Sequence, residues 1–422
     1  MESLHMRFSC KVFLFFGMGA GLVSSIKAQD TLKKFTPFAH SVHVFADIET
    51  GSNGMNQYMM NRLALGGYMK DEEIESAEKR IRKQNRIGVL SSVGFYVDIK
   101  GNDTSLSKWM PNAIGIMQEN HFGSSVSEGA WQLLFRGNGK YKGQTLDLSG
   151  TRFTQFSSRK LEFAWTGLIP KNTKDYNLTL YLGVSQLLAY RNMDMAQGSL
   201  FTDGDLQFID AQYSADYINT GAVRQQGRGW GAAVGFNLYK RISGSRTDFS
   251  IEVRDLGFYQ IQNAMHLTHK MDQSVRINQS SIGLKSLNSA DWLEYLRDTV
   301  NQTLAPDSSV ESRVVLMPFS LRTNFSLGNY IFQIKYVYLP GYLPNLKLRH
   351  AKWNLHGKGF GVYPVLSLGG FDVVNFDLNF NYSKSIANKH FFVGMQLRGI
   401  ESMVLPKITH GAGASLQLSY YF

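Results

Sequence analysis

Cysteine is almost absent from this chain of 422 residues, because Cys10 is the only one. Cys10 precedes the first apolar run, so it is not placed to carry a lipoprotein anchor. Beyond it, disulfides, thiolate nucleophiles and cysteine-ligated metals are excluded. Long apolar runs are also missing: no stretch after residue 28 approaches the length of a transmembrane helix, so the sequence predicts no such helix.

Recognisable catalytic motifs are missing as well. The chain has no Gly-x-Ser-x-Gly elbow, no His-Glu-x-x-His helix and no glycine-rich phosphate loop. The close histidine pairs are His40 with His43 and His266 with His269. Residues three apart on a strand face opposite sides, so neither pair makes a joint metal site. The sequence therefore predicts no catalytic residues, no metal site, no cofactor and no enzyme.

The amino-terminal residues 1–28 have the plan of a secretory signal peptide. Arg7 and Lys11 form a basic region, an apolar run extends from Val12 to Val23, and small residues lead to Ala28. The apolar run is too short for a comfortable membrane span. We expect cleavage after Ala28 and export of the mature chain.

The composition of the chain is typical of a membrane barrel. Aromatic residues make up 13% of the sequence, with 28 Phe and 20 Tyr, although the mean hydropathy is slightly negative. A barrel combines an apolar outside with a polar lumen and so gives this mixture. The net charge is +11, but the basic residues are scattered. The expected partners are therefore outer-membrane lipid and lipopolysaccharide, and no nucleic acid.

The last ten residues, Gly413–Phe422, alternate strictly between apolar and polar or amphipathic side chains. This period predicts a strand with one apolar and one wet face. We expect the strand to close a barrel against the first strand and so to remove the sheet edge. Phe422, Tyr420 and Leu418 resemble the signal that the bacterial barrel-assembly machinery recognises.

From residue 88 to residue 422 the chain reads as alternating strands of about ten residues, the length that a tilted membrane crossing needs. The clearest strand, Val374–Tyr382, has apolar residues at even positions and Asn or Asp at odd positions. The sequence predicts an all-β, antiparallel transmembrane barrel of about 14 strands, roughly 12 to 16. By alternation, the lumen-lining candidates are Glu162, Glu252, Arg254, Lys335, Asp377 and Arg398. Their charges either hold a narrow lumen closed or line a solute path.

Asp255 is an exception to this pattern. Counted from Arg254, it falls on the outward face, where a charge within the membrane is costly. Gly257 follows it closely and is compatible with a β-bulge that turns Asp255 inward, or with the end of the strand.

Residues 29–87 are less regular and are predicted to form a separate plug-like or periplasmic segment. Residues 41–48 could form one strand, and Asp71–Lys83 reads as a helix with acidic residues first and basic residues last. Two long loops are also predicted, Gly198–Gly229 with one weak strand and Lys270–Val310 with a short helix at Ala290–Val300.

Three stretches resemble a family of Bacteroidota outer-membrane β-barrels of unsettled function, distantly similar to barrels of the FadL and PorV type. They are Leu65–Met69 with Asn85–Gly88 after the charged helix, Val253–Phe258, and Gly411–Gly413 in the closing strand that ends at Phe422. The resemblance implies an outer-membrane location and a barrel architecture.

Two functions follow as hypotheses. The FadL-like resemblance implies a passive transporter or channel for small or hydrophobic solutes, with residues 29–87 as its hatch. The PorV-like resemblance implies a non-enzymatic scaffold or accessory barrel in an envelope secretion or gliding-type assembly, with envelope proteins as partners. The sequence does not decide between them.

Overall fold

The computed structural model describes residues 40–65, 71–99, 110–168, 176–220, 229–242, 247–269, 274–278, 307–350, 355–357, 359–372, 374–386, 389–407 and 409–422. Residues 1–28 of the expected signal peptide and the predicted helix Ala290–Val300 lie outside this part of the chain. Among the described residues, no helix is long and apolar enough to cross a membrane.

The described elements are almost all strands, with four short helices near one end of the barrel. The strands are β1 His40–Ser52, β2 Gln84–Ile99, β3 Ala113–Ser127, β4 Thr145–Asp147, β5 Thr151–Thr166, β6 Tyr176–Thr202, β7 Phe208–Asn219, β8 Gly229–Ile242, β9 Thr247–His269, β10 Ser274–Asn278, β11 Asp307–Leu316, β12 Ser320–Leu327, β13 Tyr330–Val337, β14 Leu343–His350, β15 Leu355–Gly357, β16 Phe360–Gly370, β17 Val374–Ile386, β18 Lys389–Arg398 and β19 Gly411–Tyr421. The helices are α1 Gln57–Leu65, α2 Asp71–Glu78, α3 Glu128–Arg136 and α4 Ile400–Val404.

The strands form one antiparallel sheet that closes on itself. Val44 of β1 lies opposite both Leu418 of β19 and Phe95 of β2, so β1 joins the last strand to the second. Several segments are two parts of one crossing, for example β7 with β8 and β11 with β12, which share neighbours. The wall is therefore a closed barrel of 14 strands, which confirms the predicted fold class and strand number.

The two ends of the barrel differ in how the strands are connected. At the end where His40 and Phe422 exchange backbone hydrogen bonds, here called the terminal end, the connections include the short turn at 328–329. At the opposite, helical end lie α1, α2, α3 and α4, the end of β9 at His269 and the start of β11 at Asp307. The strands β6 and β9, of 27 and 23 residues, exceed the length of a membrane crossing.

Alternation separates an outward from an inward face along each strand, as β17 shows. Val374 and Phe376 are 48% and 54% exposed, whereas Asp377 and Asn379 are 2% and 5% exposed. The predicted faces of this strand are confirmed, with even positions outward. Exposed apolar side chains recur on the outward faces of β2, β6, β8 and β16, and together they form an apolar belt that suits lipid.

Three expected boundaries are wrong. The barrel starts at His40 and not at residue 88, because β19 needs β1 as its neighbour to close the sheet. The helix at residue 71 ends at Glu78, before the basic residues. The predicted loop Gly198–Gly229 consists mostly of paired strand, because the end of β6 pairs with β7.

The residues between β1 and β2 form a cap at the helical end, together with the segment that follows β3. We define the cap as residues 53–65, 71–83 and 128–142. Its apolar centre contains Met55, Met59 and Ala77, from the residues between β1 and β2, and Trp131 and Phe135 of α3. All five side chains are buried. The predicted plug-like segment is thus divided: its first strand belongs to the barrel wall, and residues 53–65 and 71–83 pack on α3.

Candidate functional site

The lumen contains a first ionic cluster, which extends from β3 to β12. Its members are acidic and basic side chains from neighbouring strands: Glu119, Lys160, Glu162, Glu252, Arg254, Asp255 and Arg322. Lys160 Nζ lies 3.4 Å from Glu162 Oε2 and 3.7 Å from Glu119 Oε1, and it also contacts Asp255 Oδ1. Arg254 Nη2 lies 3.0 Å from Glu162 Oε1. Lys160 therefore lies among three carboxylates, and Arg254 supplies a second cation to one of them, Glu162.

Aromatic side chains hold the first ionic cluster in place. Tyr96 donates its hydroxyl to Glu162 Oε1 at 2.9 Å and accepts a hydrogen bond from Arg254 Nη2 at 3.1 Å. The Arg254 guanidinium also stacks 3.7 Å from the centre of the Tyr181 ring. These contacts fix the plane of the Arg254 guanidinium. The guanidinium therefore stays paired with Glu162, which a mobile side chain would not do.

A second ionic cluster lies among the strands that meet at the barrel closure and consists of Asp47, Glu49, Lys335, Lys347, Asp377 and Arg398. Glu49 Oε2 lies 2.9 Å from Lys335 Nζ and 3.4 Å from Arg398 Nη1. Asp377 Oδ2 lies 2.9 Å from Lys347 Nζ and accepts a hydrogen bond from Gln396. This cluster ties β1 to β13 and β18 across the lumen.

The structure places all the sequence-predicted lumen candidates inside the barrel and divides them between these clusters. Glu162, Glu252 and Arg254 meet in the first ionic cluster, whereas Lys335 and Arg398 share Glu49 in the second. Asp377 belongs to the second through Lys347. Whether they line a solute path stays a hypothesis.

Sequence reasoning missed six members of the two clusters: Asp47, Glu49, Glu119, Lys160, Arg322 and Lys347. Lys160 has the same parity as Glu162 on β5, so alternation alone could have placed it inward. Asp47 and Glu49 were missed because their strand was assigned to a separate segment. Glu119 gave no such signal, because the outward and inward sides of β3 are both mixed in polarity.

A β-bulge turns Asp255 inward. Val234 of β8 pairs with Leu256, whereas Phe236 pairs with Val253, so β9 holds one extra residue at this point. Asp255 has φ +62°, a left-handed conformation that a bulge accommodates. The bulge therefore lies within a 23-residue strand and not at a strand end.

An apolar layer lies beside the ionic clusters, towards the helical end. It contains Phe156, Tyr190, Tyr259, Ile261 and Phe371, which are at most 6% exposed. The ring centres of Phe156 and Tyr190 are 4.8 Å apart. The lumen thus presents apolar side chains next to a charged layer.

Both layers close the described part of the lumen. The side chains of Lys160 and Glu162 are each 3% exposed, and those of Asp377 and Arg398 are 1% and 10% exposed. Residues that line an open aqueous pore would be accessible to water. In the described structure the lumen is therefore filled by side chains and is not an open aqueous pore.

A hydrogen-bond network crosses the barrel seam near the terminal end. His43 Nδ1 lies 2.8 Å from Ser419 Oγ on β19, and His43 Nε2 lies 2.8 Å from Asp98 Oδ2 on β2. Ser41 donates its hydroxyl to the same Asp98 oxygen at 2.7 Å. The residue types are those of a serine hydrolase. Ser419 is only 1% exposed, however, whereas the Asp98 side chain is 47% exposed, so the hydroxyl is the buried end.

This burial suits a structural seam better than a nucleophile, because a substrate carbonyl has to reach the hydroxyl. Among the residues that the structure describes, no group of three or more His, Cys, Asp or Glu could hold a metal ion.

Phe422 completes the same seam. Its backbone N–H donates to the His40 carbonyl at 3.0 Å, and its ring stacks 5.6 Å from Tyr420. Leu418, which lies in β19 four residues before Phe422, is opposite Val44 of β1.

Changing Phe422 to Asp is expected to lower the amount of folded barrel sharply, through lost closure contacts and lost recognition by the assembly machinery. The measurement is the heat-modifiable band of the membrane fraction on a gel. Phe360→Asp is the matched control, because Phe360 also lies at the terminal end and is 45% exposed against 46% for Phe422. Equal folded amounts of the two variants would show that the last residue has no special role.

No protein-family model matches this chain, and no curated protein matches it. Among solved structures, the toluene transporter TodX of Pseudomonas putida is 7% identical over 96% of this chain and 95% of that chain, with a TM-score of 0.39. A FadL homologue of Pseudomonas aeruginosa is 8% identical, with coverages of 91% and 89% and a TM-score of 0.36. The translocator domain of the autotransporter NalP from Neisseria meningitidis is 9% identical, with coverages of 94% and 93% and a TM-score of 0.27. These TM-scores are low, so the fold assignment rests on the strand pairing of this chain.

Proposed function

We propose that this protein is an outer-membrane barrel that transports small or hydrophobic solutes passively and is closed at rest. The observation that carries the proposal is the layered lumen, in which buried apolar side chains such as Phe156 and Tyr259 adjoin the first ionic cluster. An apolar solute would gain by entering the apolar layer. The ionic layer would bar water and ions until the lumen rearranges.

The proposed orientation places the helical end outside the cell. Long connections of outer-membrane barrels face outward and short turns face the periplasm. The helical end carries the cap, and β9 ends and β11 begins there, whereas both chain ends of the barrel meet at the terminal end. The cap would then be the first structure that an external solute meets.

The cap is held by an ionic clamp that is suited to a hatch. Arg136 of α3 donates to both carboxylate oxygens of Glu78 at 2.9 and 3.0 Å, and Lys140 donates to the same carboxylate at 2.8 Å. Arg136 also lies 3.5 Å from Asp71. The hydrogen bond from Arg136 holds the pKa of the Glu78 carboxyl below its usual range. Helix α2 is thereby fastened to α3 at its carboxyl end.

Replacing Arg136 with Ala should increase solute uptake, because it releases α2 from α3. We expect uptake of a hydrophobic dye into proteoliposomes to rise about fivefold, the factor that corresponds to ~1 kcal/mol for a partly exposed ion-pair group. Lys142→Ala, in the same segment and exposed, is the control that leaves the clamp intact.

The same clamp sets the pH dependence of uptake. Because the pKa of Glu78 is lowered in the folded cap, the clamp is complete above the ordinary carboxyl pKa and is lost as the pH falls through the lowered value. Acidification should therefore raise uptake by the wild-type protein and raise it less in Arg136→Ala, where only Lys140 remains bonded to Glu78. An absence of uptake in every variant would contradict transport.

The closed lumen favours one alternative, that of a scaffold in an envelope assembly. A barrel filled by paired charges needs no solute, and its helical end could serve as a docking surface. In that case the proteoliposomes would show no flux, and the cap variants would instead lose envelope proteins that co-purify with the wild type.

A further inference from the structure

Helix α4 and the residue after it expose three consecutive apolar side chains. Met403, Val404 and Leu405 are 53%, 77% and 50% exposed. The other side of the helix is fixed, because Ser402 is 2% exposed and donates its hydroxyl to the Gly411 carbonyl. The apolar side chains therefore cannot turn inward without breaking that packing.

The position of α4 brings this apolar group into line with the barrel wall. Strand β18 ends at Arg398, and the Glu401 carboxylate then accepts a hydrogen bond from the Phe376 backbone N–H of β17 at 3.1 Å. On its other side, the helix is tied to β19 by the bond from Ser402 to Gly411. Helix α4 thus occupies the place between β17 and β19 that β18 vacates.

The apolar belt continues up to this helix. Val374 and Phe376, at the helical end of β17, point outward and are 48% and 54% exposed. The hydrogen bond between Glu401 and Phe376 places the chain after Glu401 next to these lipid-facing side chains. Between Glu401 and Leu405 the only polar residue is Ser402, which is buried. Met403, Val404 and Leu405 therefore continue the apolar belt.

Two cations lie immediately beyond the apolar group. Lys407 Nζ is 6.0 Å and Arg62 Cζ is 5.0 Å from the centre of the Tyr58 ring. The backbone holds this arrangement, since Tyr58 N–H donates to the Pro406 carbonyl at 3.0 Å and the Asn56 amide donates to the Lys407 carbonyl at 2.8 Å. A tyrosine flanked by cations, above an apolar group, has the polarity of the boundary between lipid tails and headgroups.

We propose that α4 is an interfacial anchor that binds a phosphate-bearing lipid of the leaflet at the helical end. Met403, Val404 and Leu405 insert among the acyl chains, and Lys407 and Arg62 face the headgroup phosphate beside Tyr58. This site goes beyond solute transport, because α4 lies on the outside of the barrel, while Tyr58 and Arg62 are contributed by the cap.

The depth of the helix is tested with a nitroxide label on Val404→Cys in lipid vesicles, in a chain whose Cys10 is absent or replaced. The ratio of the label's collision rates with dissolved oxygen and with a water-soluble nickel chelate reports how deeply the label is immersed in lipid. We expect Val404→Cys to resemble the belt control Phe376→Cys and to differ from the cap control Lys142→Cys. A label at Val404 that behaves like the one at Lys142 would overturn the anchor.

The headgroup preference is tested by native mass spectrometry of the purified barrel with added phosphatidylglycerol or phosphatidylcholine. Lys407→Gln should weaken phosphatidylglycerol binding about fivefold, the effect of one basic residue at an anionic surface. Phosphatidylcholine binding should be unchanged, and Lys142→Gln should match the wild type. Equal phosphatidylglycerol binding by Lys407→Gln and Lys142→Gln would overturn the phosphate site. In the labelling experiment, a label at Val404 that is shielded by a co-purified protein would overturn the lipid anchor.

Discussion

Replacing Lys160 with Met should destabilise the barrel by about 3–5 kcal/mol, the cost of removing one partner from a buried ion pair. Lys160 is 3% exposed, is paired with Glu119 and Asp255, and also lies 3.4 Å from Glu162. Without it, these carboxylates would remain desolvated, with Arg254 as the nearest remaining cation for Glu162. The measurement is the folded fraction in lipid vesicles across a urea series.

A second substitution distinguishes lost charge balance from lost packing. Lys160→Met combined with Asp255→Asn should recover part of the stability, because one uncompensated carboxylate is removed. Lys142→Met, in the exposed part of the cap, should cost little. If Lys160→Met cost no more than Lys142→Met, the first ionic cluster would be hydrated and the lumen would not be closed as described.

Placing Arg at Leu378 should cost roughly 2–4 kcal/mol, the penalty for a cation on the lipid face near the bilayer midplane. Leu378 lies on the outward face of β17, between Phe376 and Phe380. Ile386→Arg is the matched control on the same face, because Ile386 is 63% exposed at the end of the strand. Near the interface the cost should fall to about 0–1 kcal/mol.

The urea series used for Lys160 measures this depth dependence as well. Equal costs at Leu378 and Ile386 would show that β17 does not cross the hydrocarbon layer as assigned.

Asn379→Arg, on the lumen face, would be tolerated if the lumen were open. Because Asn379 is 5% exposed, Arg has to displace packed neighbours there, and we expect a measurable cost.

Local alternation was sufficient to predict the barrel and the faces of its strands. A side chain on a strand points to one face or the other with a period of two, so Asp377 and Phe376 could be assigned without any tertiary information. The same rule placed Glu162, Lys335 and Arg398 inside. The count of about fourteen alternating segments, each about as long as a tilted crossing needs, agrees with the 14 strands of the structure.

The rule failed where one residue is inserted or where a strand is interrupted. The bulge at Asp255 shifts the parity of β9, so that Glu252 and Arg254 are inward before it and Tyr259 and Ile261 are inward after it. The sequence showed Gly257 as a sign of irregularity, but not which residue is added. The strand β1 was also missed as part of the wall, because its role is defined by closure with β19.

The sequence by itself determined the class of this protein: an all-β chain whose alternating strands have one apolar and one polar face. Only the tertiary structure decided that the lumen is closed. Closure depends on which strands become neighbours, and Glu49 meets Lys335 only because the barrel brings together residues that are far apart in the chain. The polarity of a strand is a local property, whereas the pairing of its charges is set by the whole sheet.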